Sequence, residues 1–205
     1  QEQFPVELKV TGNINLDRST MSLKESSIES STVALRADSL ELGWPANAPL
    51  SLRGVLVYGA NVSRLQQWFA NPQQPASILC DGLLQGQANI VAIGSQNKID
   101  SENTIQKFAV YDTGDLIRYQ NGARAGNAPS PPAPLWNEPD LKLSIHGAYD
   151  SSRDSLSLET FQFASQALGL RANGKLDQAT SNKAMFNLSG KLDYDWATLS
   201  PILKP

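Results

Sequence analysis

LKLSIHGAYDSSRDSLSLETFQFASQALGLRANGKL, residues 141–176, alternates apolar and polar side chains in three runs separated by polar turns. Leu143 and Ile145 lead to Gly147, Leu156 and Leu158 to Phe161 and Phe163, and Leu168 and Leu170 to Ala172. A period of two marks a half-buried strand, because successive side chains of extended backbone point to opposite faces. The connection Asp150-Ser151-Ser152-Arg153-Asp154 supplies side chains that bond nearby backbone, as a short turn requires. The stretch reads as an antiparallel meander with one apolar face that must be covered or used.

The same pattern occurs earlier in the chain, 135 residues upstream and without a gap. VELKVTG at 6–12 matches LKLSIHG at 141–147, with Gly12 opposite Gly147. Met21, Leu23, Val33, Leu35, Arg36 and Ala37 stand opposite Leu156, Leu158, Leu168, Leu170, Arg171 and Ala172. Further on, Gly54 and Tyr58 pair with Gly190 and Tyr194 at an offset of 136. An internal repeat of this kind predicts two copies of one supersecondary unit. The first should span 1–70 and the second 141–205.

After the Gly54 strand, Val62, Leu65, Trp68 and Phe69 fall at helical spacing, with Asn61 or Ser63 as cap. The matching helix of the second copy would follow Ser200 as its cap, with Pro201 in the first turn. Residues 71–140 read as a less regular β insertion, with strands from Gln85 to Ile93 and from Thr104 to Tyr111. Its end, NGARAGNAPSPPAPLWNEP at 121–139, is rich in Pro, Gly and Ala and reads as a long surface loop pinned by Trp136. The predicted fold class is mainly β: antiparallel meanders forming a curved sheet or groove, with one or two short helices.

Composition narrows the function. Seventeen Lys plus Arg against twenty Asp plus Glu give a net charge of −3, which offers nucleic acid no electrostatic footprint. The single Cys80 excludes an internal disulfide or a Cys-based zinc site, and the single His146 excludes sites with two His ligands. Neither metal nor cofactor is expected. No apolar run approaches the roughly 20 residues of a membrane-spanning helix. The abrupt start at Gln1 and the stop at Pro205 read as the bounds of a mature protein or of a piece of a longer one.

Candidate chemistry is sparse, and no catalytic residue is expected. His146 alternates out of phase with Leu143 and Ile145, and Thr11 takes its place in the first copy, so it reads as a solvated strand residue. Cys80 reads as a small buried hydrophobe. Asp193 and Asp195 in LDYDW form a carboxylate pair that a hydrolase would need, but a turn or helix-cap role fits Asp195 better. Trp44, Trp68, Trp136 and Trp196 read as packing residues rather than a sugar platform. The sequons at Asn61 and Asn187 are too short to carry an argument.

Units of this form, with apolar alternation into Gly, an Asp-ended strand, Ser/Leu-rich strands and an Ala-Asn-Gly-Lys-Leu ending, resemble the AsmA-like family of the Gram-negative envelope, which includes TamB. The resemblance is carried by residues 141–176 and by LSGKLDYDWATLSPIL at 188–203, and extends over about two-thirds of the chain. It implies a long β-groove with an apolar interior, on the periplasmic side of a parent anchored in the inner membrane. It further implies a part in phospholipid transport and outer-membrane biogenesis, with lipid acyl chains as partners and no catalysis. The residues it would place in the groove or its core are Leu143, Ile145, Leu156, Leu158, Phe161, Phe163, Leu168 and Leu170. The insertion at 121–139 and the short chain depart from the family pattern. Alternatives from other classes are an extracellular β-sandwich module for adhesion or carbohydrate binding, and a hydrolase using Asp193 and Asp195.

Overall fold

The computed structural model describes residues 5–71, 76–124 and 130–200. Short polar turns join most strands, so sequence neighbours become sheet neighbours. The strands are β1 (Glu7–Lys9), β2 (Gly12–Asn15), β3 (Thr20–Glu29), β4 (Val33–Gly43), β5 (Ser51–Asn61) and β6 (Ile78–Ile93). They continue as β7 (Gln96–Asp112), β8 (Trp136–Asp150), β9 (Ser155–Ala164), β10 (Leu168–Asp177) and β11 (Met185–Tyr194). All eleven join one antiparallel sheet in sequence order, with β1 and β2 both on β3 at one edge and β11 at the other. The sheet is open: β11 pairs only with β10. A sandwich would need a second sheet facing the first at about 10 Å. The described strands make one sheet.

The helices are α1 (Val62–Phe69), α2 (Thr113–Arg124) and α3 (Trp196–Leu199). Each follows a strand of the same direction, β5, β7 or β11, so all three lie at one end of the sheet. A side-chain oxygen starts each helix by accepting a backbone N–H of the first turn. Asn61 accepts from Arg64, Asp112 from Asp115 and Asp195 from Ala197. The third helix therefore starts on Asp195, five residues before the expected Ser200. Asp195 is already a free acceptor at the strand end, and its second oxygen takes the Thr198 hydroxyl as well.

The hairpin tips beside these helices share one hydrogen-bond pattern. Ser30 Oγ accepts from the N–H groups of Thr32 and Val33, and Ser165 Oγ accepts from Ala167 and Leu168, 135 residues later. The N–H of Asn61 reaches Thr32 O, and that of Asp195 reaches Ala167 O. At the opposite end, Trp44 N donates to Ser19 O and Ala179 N to Asp154 O, with Ser19 and Asp154 both at φ 49°. Strand boundaries follow: β3 and β9 each span ten residues at the same offset.

Residues 71–140 differ from the expectation of an irregular insertion. β6 and β7, at 16 and 17 residues, are the two longest strands and lie at the centre of the sheet. The expected loop 121–139 begins as the end of α2 and ends as the start of β8; residues 125–129 lie outside the described part. Trp136, seen from the sequence as a pin, packs edge-on against Phe108 at 5.3 Å, in the cluster of Phe108, Val110 and Leu141. The first copy departs in the other direction. Its opening strand is broken at Val10 and Thr11, where β8 runs through unbroken.

Glu138 was not legible as structural, and it is the most buried large side chain, 1% exposed. Its carboxylate accepts from Trp136 Nε1 and from the backbone N–H groups of Gln166 and Ala167, so β8 holds the β9–β10 tip. Three donors compensate the burial of a charge. Glu138→Ala would take an acceptor from the Gln166 N–H and from the buried Ala167 N–H, which keeps only Ser165 Oγ. The expected cost is about 2–4 kcal/mol, read as a lower urea midpoint with an unchanged slope.

Candidate functional site: an open apolar sheet face

Register places one apolar row across the whole sheet. Leu8, Ile28, Leu35, Tyr58, Gly86, Asn103, Leu143, Phe163, Leu170 and Leu192 are successive cross-strand partners. The next row on that face carries Ser26, Ala37, Leu56, Ala88, Ser101, Ile145, Phe161, Ala172 and Gly190. Beyond it, Gly12, Leu23, Leu40, Gly54, Ile90, Ile99, Gly147, Leu158, Gly174 and Leu188 are aligned. In this third row glycine makes room for leucine: a Cβ on Gly54 would stand 2.9 Å from a Leu40 methyl, and one on Gly12 2.8 Å from Leu23. The opposite face carries Glu41, Arg53, Lys98, Glu102, Arg171 and Lys191.

Apart from the Trp68 ring at the β1 edge, no described element lies over the apolar face. α1 packs on the ends of β5 and β6 and α2 on β7, and the other substantial contacts join adjacent strands. The accessible surface is 14199 Å², against about 9,400 Å² for a compact protein of this mass. Toward the edges the apolar side chains become openly exposed: Leu8 65%, Ile14 65%, Phe186 75% and Leu192 54%. All eight residues singled out from the sequence, Leu143, Ile145, Leu156, Leu158, Phe161, Phe163, Leu168 and Leu170, lie on this face, and each is half-buried.

At the centre the row turns polar in an ordered way. Tyr58 lays its ring over Gly86 and donates its hydroxyl to Asn103 Oδ1 at 2.6 Å. A Cβ on residue 86 would meet that ring at 2.6 Å, so only glycine fits beneath it. Asn103 in turn donates to Ser101 Oγ and to Leu143 O. The repeat marks Tyr58, but nothing local announces its bond to Asn103, 45 residues away.

At the β1 edge the face deepens. A cleft of about 270 Å³ is lined by Val6, Ile28, Val33, Leu35 and the Trp68 ring, with Ser30 and Thr32 at its end. A second, of about 180 Å³, continues from Ile28 and Leu35 to Ala37, Leu40 and Leu56 beneath Leu8 and Val10. A larger concavity of about 620 Å³ lies on the polar face, floored by Ala34 and Gly59 and walled by Arg36, Gln85 and Glu102. It is wide and shallow, and its side chains are of the kind that water satisfies.

The residues weighed for chemistry are dispersed. His146 is on the polar face as expected, but it is held rather than free: Nδ1 lies 3.2 Å from Asp100 Oδ1, and Nε2 3.1 Å from Ser144 Oγ and 3.2 Å from Glu102 Oε1. The Ser144 hydroxyl donates to Glu102, and the backbone around it is committed to the ladder, so no donors converge on an oxyanion. Asp193 pairs with Lys191 at 2.8 Å, apart from the helix-capping Asp195. Cys80 is half-buried against the Phe108 cluster, and burial raises its thiol pKa. Three tryptophans expected to pack are open instead: Trp68 is 62%, Trp196 59% and Trp44 36% exposed. With a single layer there is no core for them to enter. Among the described residues no three His, Cys, Asp or Glu side chains group as a metal site.

The aspartates with clear shifts belong to turns and caps. The Ser152 hydroxyl, helped by the Gln96 side chain and the Ser152 and Arg153 N–H groups, holds Asp150 down from 3.8 to about 2. At Asp154 desolvation is outweighed by bonds from Tyr149 and Thr180, so its pKa is also lowered. No family model, curated protein or solved structure matches the chain.

Two outcomes follow. Leu158→Ala should cost only about 1 kcal/mol, because a half-exposed leucine has less transfer energy to lose, whereas the same change in a closed core costs about 2–5; urea unfolding decides. The depressed pKa of Asp150 means that its contribution is present above about pH 4 and lost as pH falls toward 2. Asp150→Asn should flatten the acid limb of the stability profile over that range by lowering stability at neutral pH toward its acid value.

Proposed function

We propose that this chain is a non-enzymatic, lipid-holding β-groove, a segment of an AsmA-like protein on the periplasmic side of a bacterial envelope, serving phospholipid transport and outer-membrane biogenesis. The observation that carries the reading is the uncovered apolar face, running in register across ten strands. Monomeric soluble proteins rarely expose contiguous apolar patches of more than a few hundred Å². Acyl chains suit such a surface, since they need area rather than directed bonds, at about 25 cal/mol per Å² buried. Rows aligned along the sheet let a chain shift from one strand to the next over equivalent contacts.

Ser144, His146 and Asp100 lie within hydrogen-bond reach of one another, but the Ser144 hydroxyl is donated to Glu102 and the β8 backbone is paired with β7 and β9, which favours holding over chemistry. No described helix is long and apolar enough to cross a membrane. In this reading membrane attachment comes from an anchor of the parent protein.

A photoreactive phenylalanine analogue at position 158 should crosslink to phospholipid when the purified protein meets vesicles of phosphatidylethanolamine and phosphatidylglycerol. The same analogue at Lys175, on the opposite face, should not. Leu158→Asp should abolish capture while circular dichroism stays native. Equal crosslinking from both faces, or none from 158, would contradict the reading.

A further inference from the structure

We infer that the cleft between Trp68 and the β1–β4 edge is a site for one fatty acyl chain with an anionic head, which Arg64 receives. The inference rests on the lipid-holding reading and adds where a chain enters and which charge it carries. Five features of the first copy converge there.

The two clefts share Ile28 and Leu35 and follow one another along β3 and β4, and in this inference the pair is one acyl-chain channel. From Val33 to Leu40 it runs about 23 Å at strand rise, the scale of an extended acyl chain. Its floor is small and buried at Ser26 and Ala37, both 8% exposed. In the second copy the place of Ser26 is taken by the much larger Phe161. The Ser26 hydroxyl is satisfied by Thr11, accepting its N–H and donating to its carbonyl, where β1 and β2 part. The floor therefore asks for no polar ligand.

The channel has an aromatic wall and a cationic end. Trp68 lines it while remaining 62% exposed. Arg64 lies one turn earlier on the same helix face. Its Nη1 donates to Ser31 O at 2.7 Å, between Ser30 and Thr32, which close the cleft. Arg64 forms no ion pair among the described residues, and its remaining guanidinium N–H groups can meet a carboxylate or phosphate.

The probe is 9,10-dibromostearate, whose bromines quench tryptophan at short range, with its methyl ester as the uncharged control. Quenching of the native protein should saturate, and Trp68→Phe should remove most of it while displacement of a radiolabelled stearate shows binding retained. Arg64→Gln should weaken dibromostearate about tenfold and leave the ester unchanged. Ser26→Phe, restoring the bulk found at Phe161, should block both, with circular dichroism confirming the fold. Unchanged quenching in Trp68→Phe would overturn the cleft, as would equal effects of Arg64→Gln on acid and ester. Phospholipid crosslinking at position 158 alongside either result would leave the groove standing without this entrance. Failure of crosslinking alone would remove the groove reading and leave an isolated fatty-acid cleft.

Discussion

Each strand of this protein takes its backbone hydrogen bonds from its neighbours in sequence, and that lateral pairing substitutes for a second layer. Ordinarily a sheet buries an apolar face against helices or another sheet. Here the face is sheltered only by the breadth of its own side chains, which lie shoulder to shoulder in rows. Seven hydrophobic residues are buried among those described, four of them alanine, so stability comes from the ladder, the hairpin tips and partial burial. The same economy leaves apolar surface free. Structure and proposed activity are two readings of one constraint.

Row alignment depends on details that keep strands in register. The serine-centred tips at Ser30 and Ser165, the helix caps at Asn61, Asp112 and Asp195, and the Glu138 clasp all fasten one end of the sheet. The third-row glycines admit neighbouring leucines at the other. A one-residue slip anywhere would send a strand's leucines to the polar face. The bulges near Gly82 and Gly174, both at φ 145°, absorb extra residues so that such a slip is corrected within the strand.

The strands of 20–43 and 141–176 were legible because one polar and one apolar face imprint a period of two. β6 and β7 were only half legible: Ser101, Asn103 and Ala88 stand where apolar residues mark the face elsewhere, and the pattern fades in the middle of the sheet. α2 was missed because Gly114, Gln120 and Gly122 dilute its helical signal. For the site, alternation placed Leu143 through Leu170 on one face. What it could not tell was whether that face is covered, since a closed core and an open groove carry the same alternation. Glu138, Tyr58 and Arg64 act through partners remote in sequence, and nothing local announces them.

Whether the apolar face is open in solution can be read from a thiol placed on it. In a Cys80→Ser background, Leu143→Cys sits in the ten-strand row on β8, three strands in from the β11 edge. With an open face, an apolar maleimide should modify it in the native protein within about tenfold of the rate for the unfolded chain, because no global opening is needed. Protection by a thousandfold or more, lifted only by denaturant, would show that the face is closed and would contradict the account.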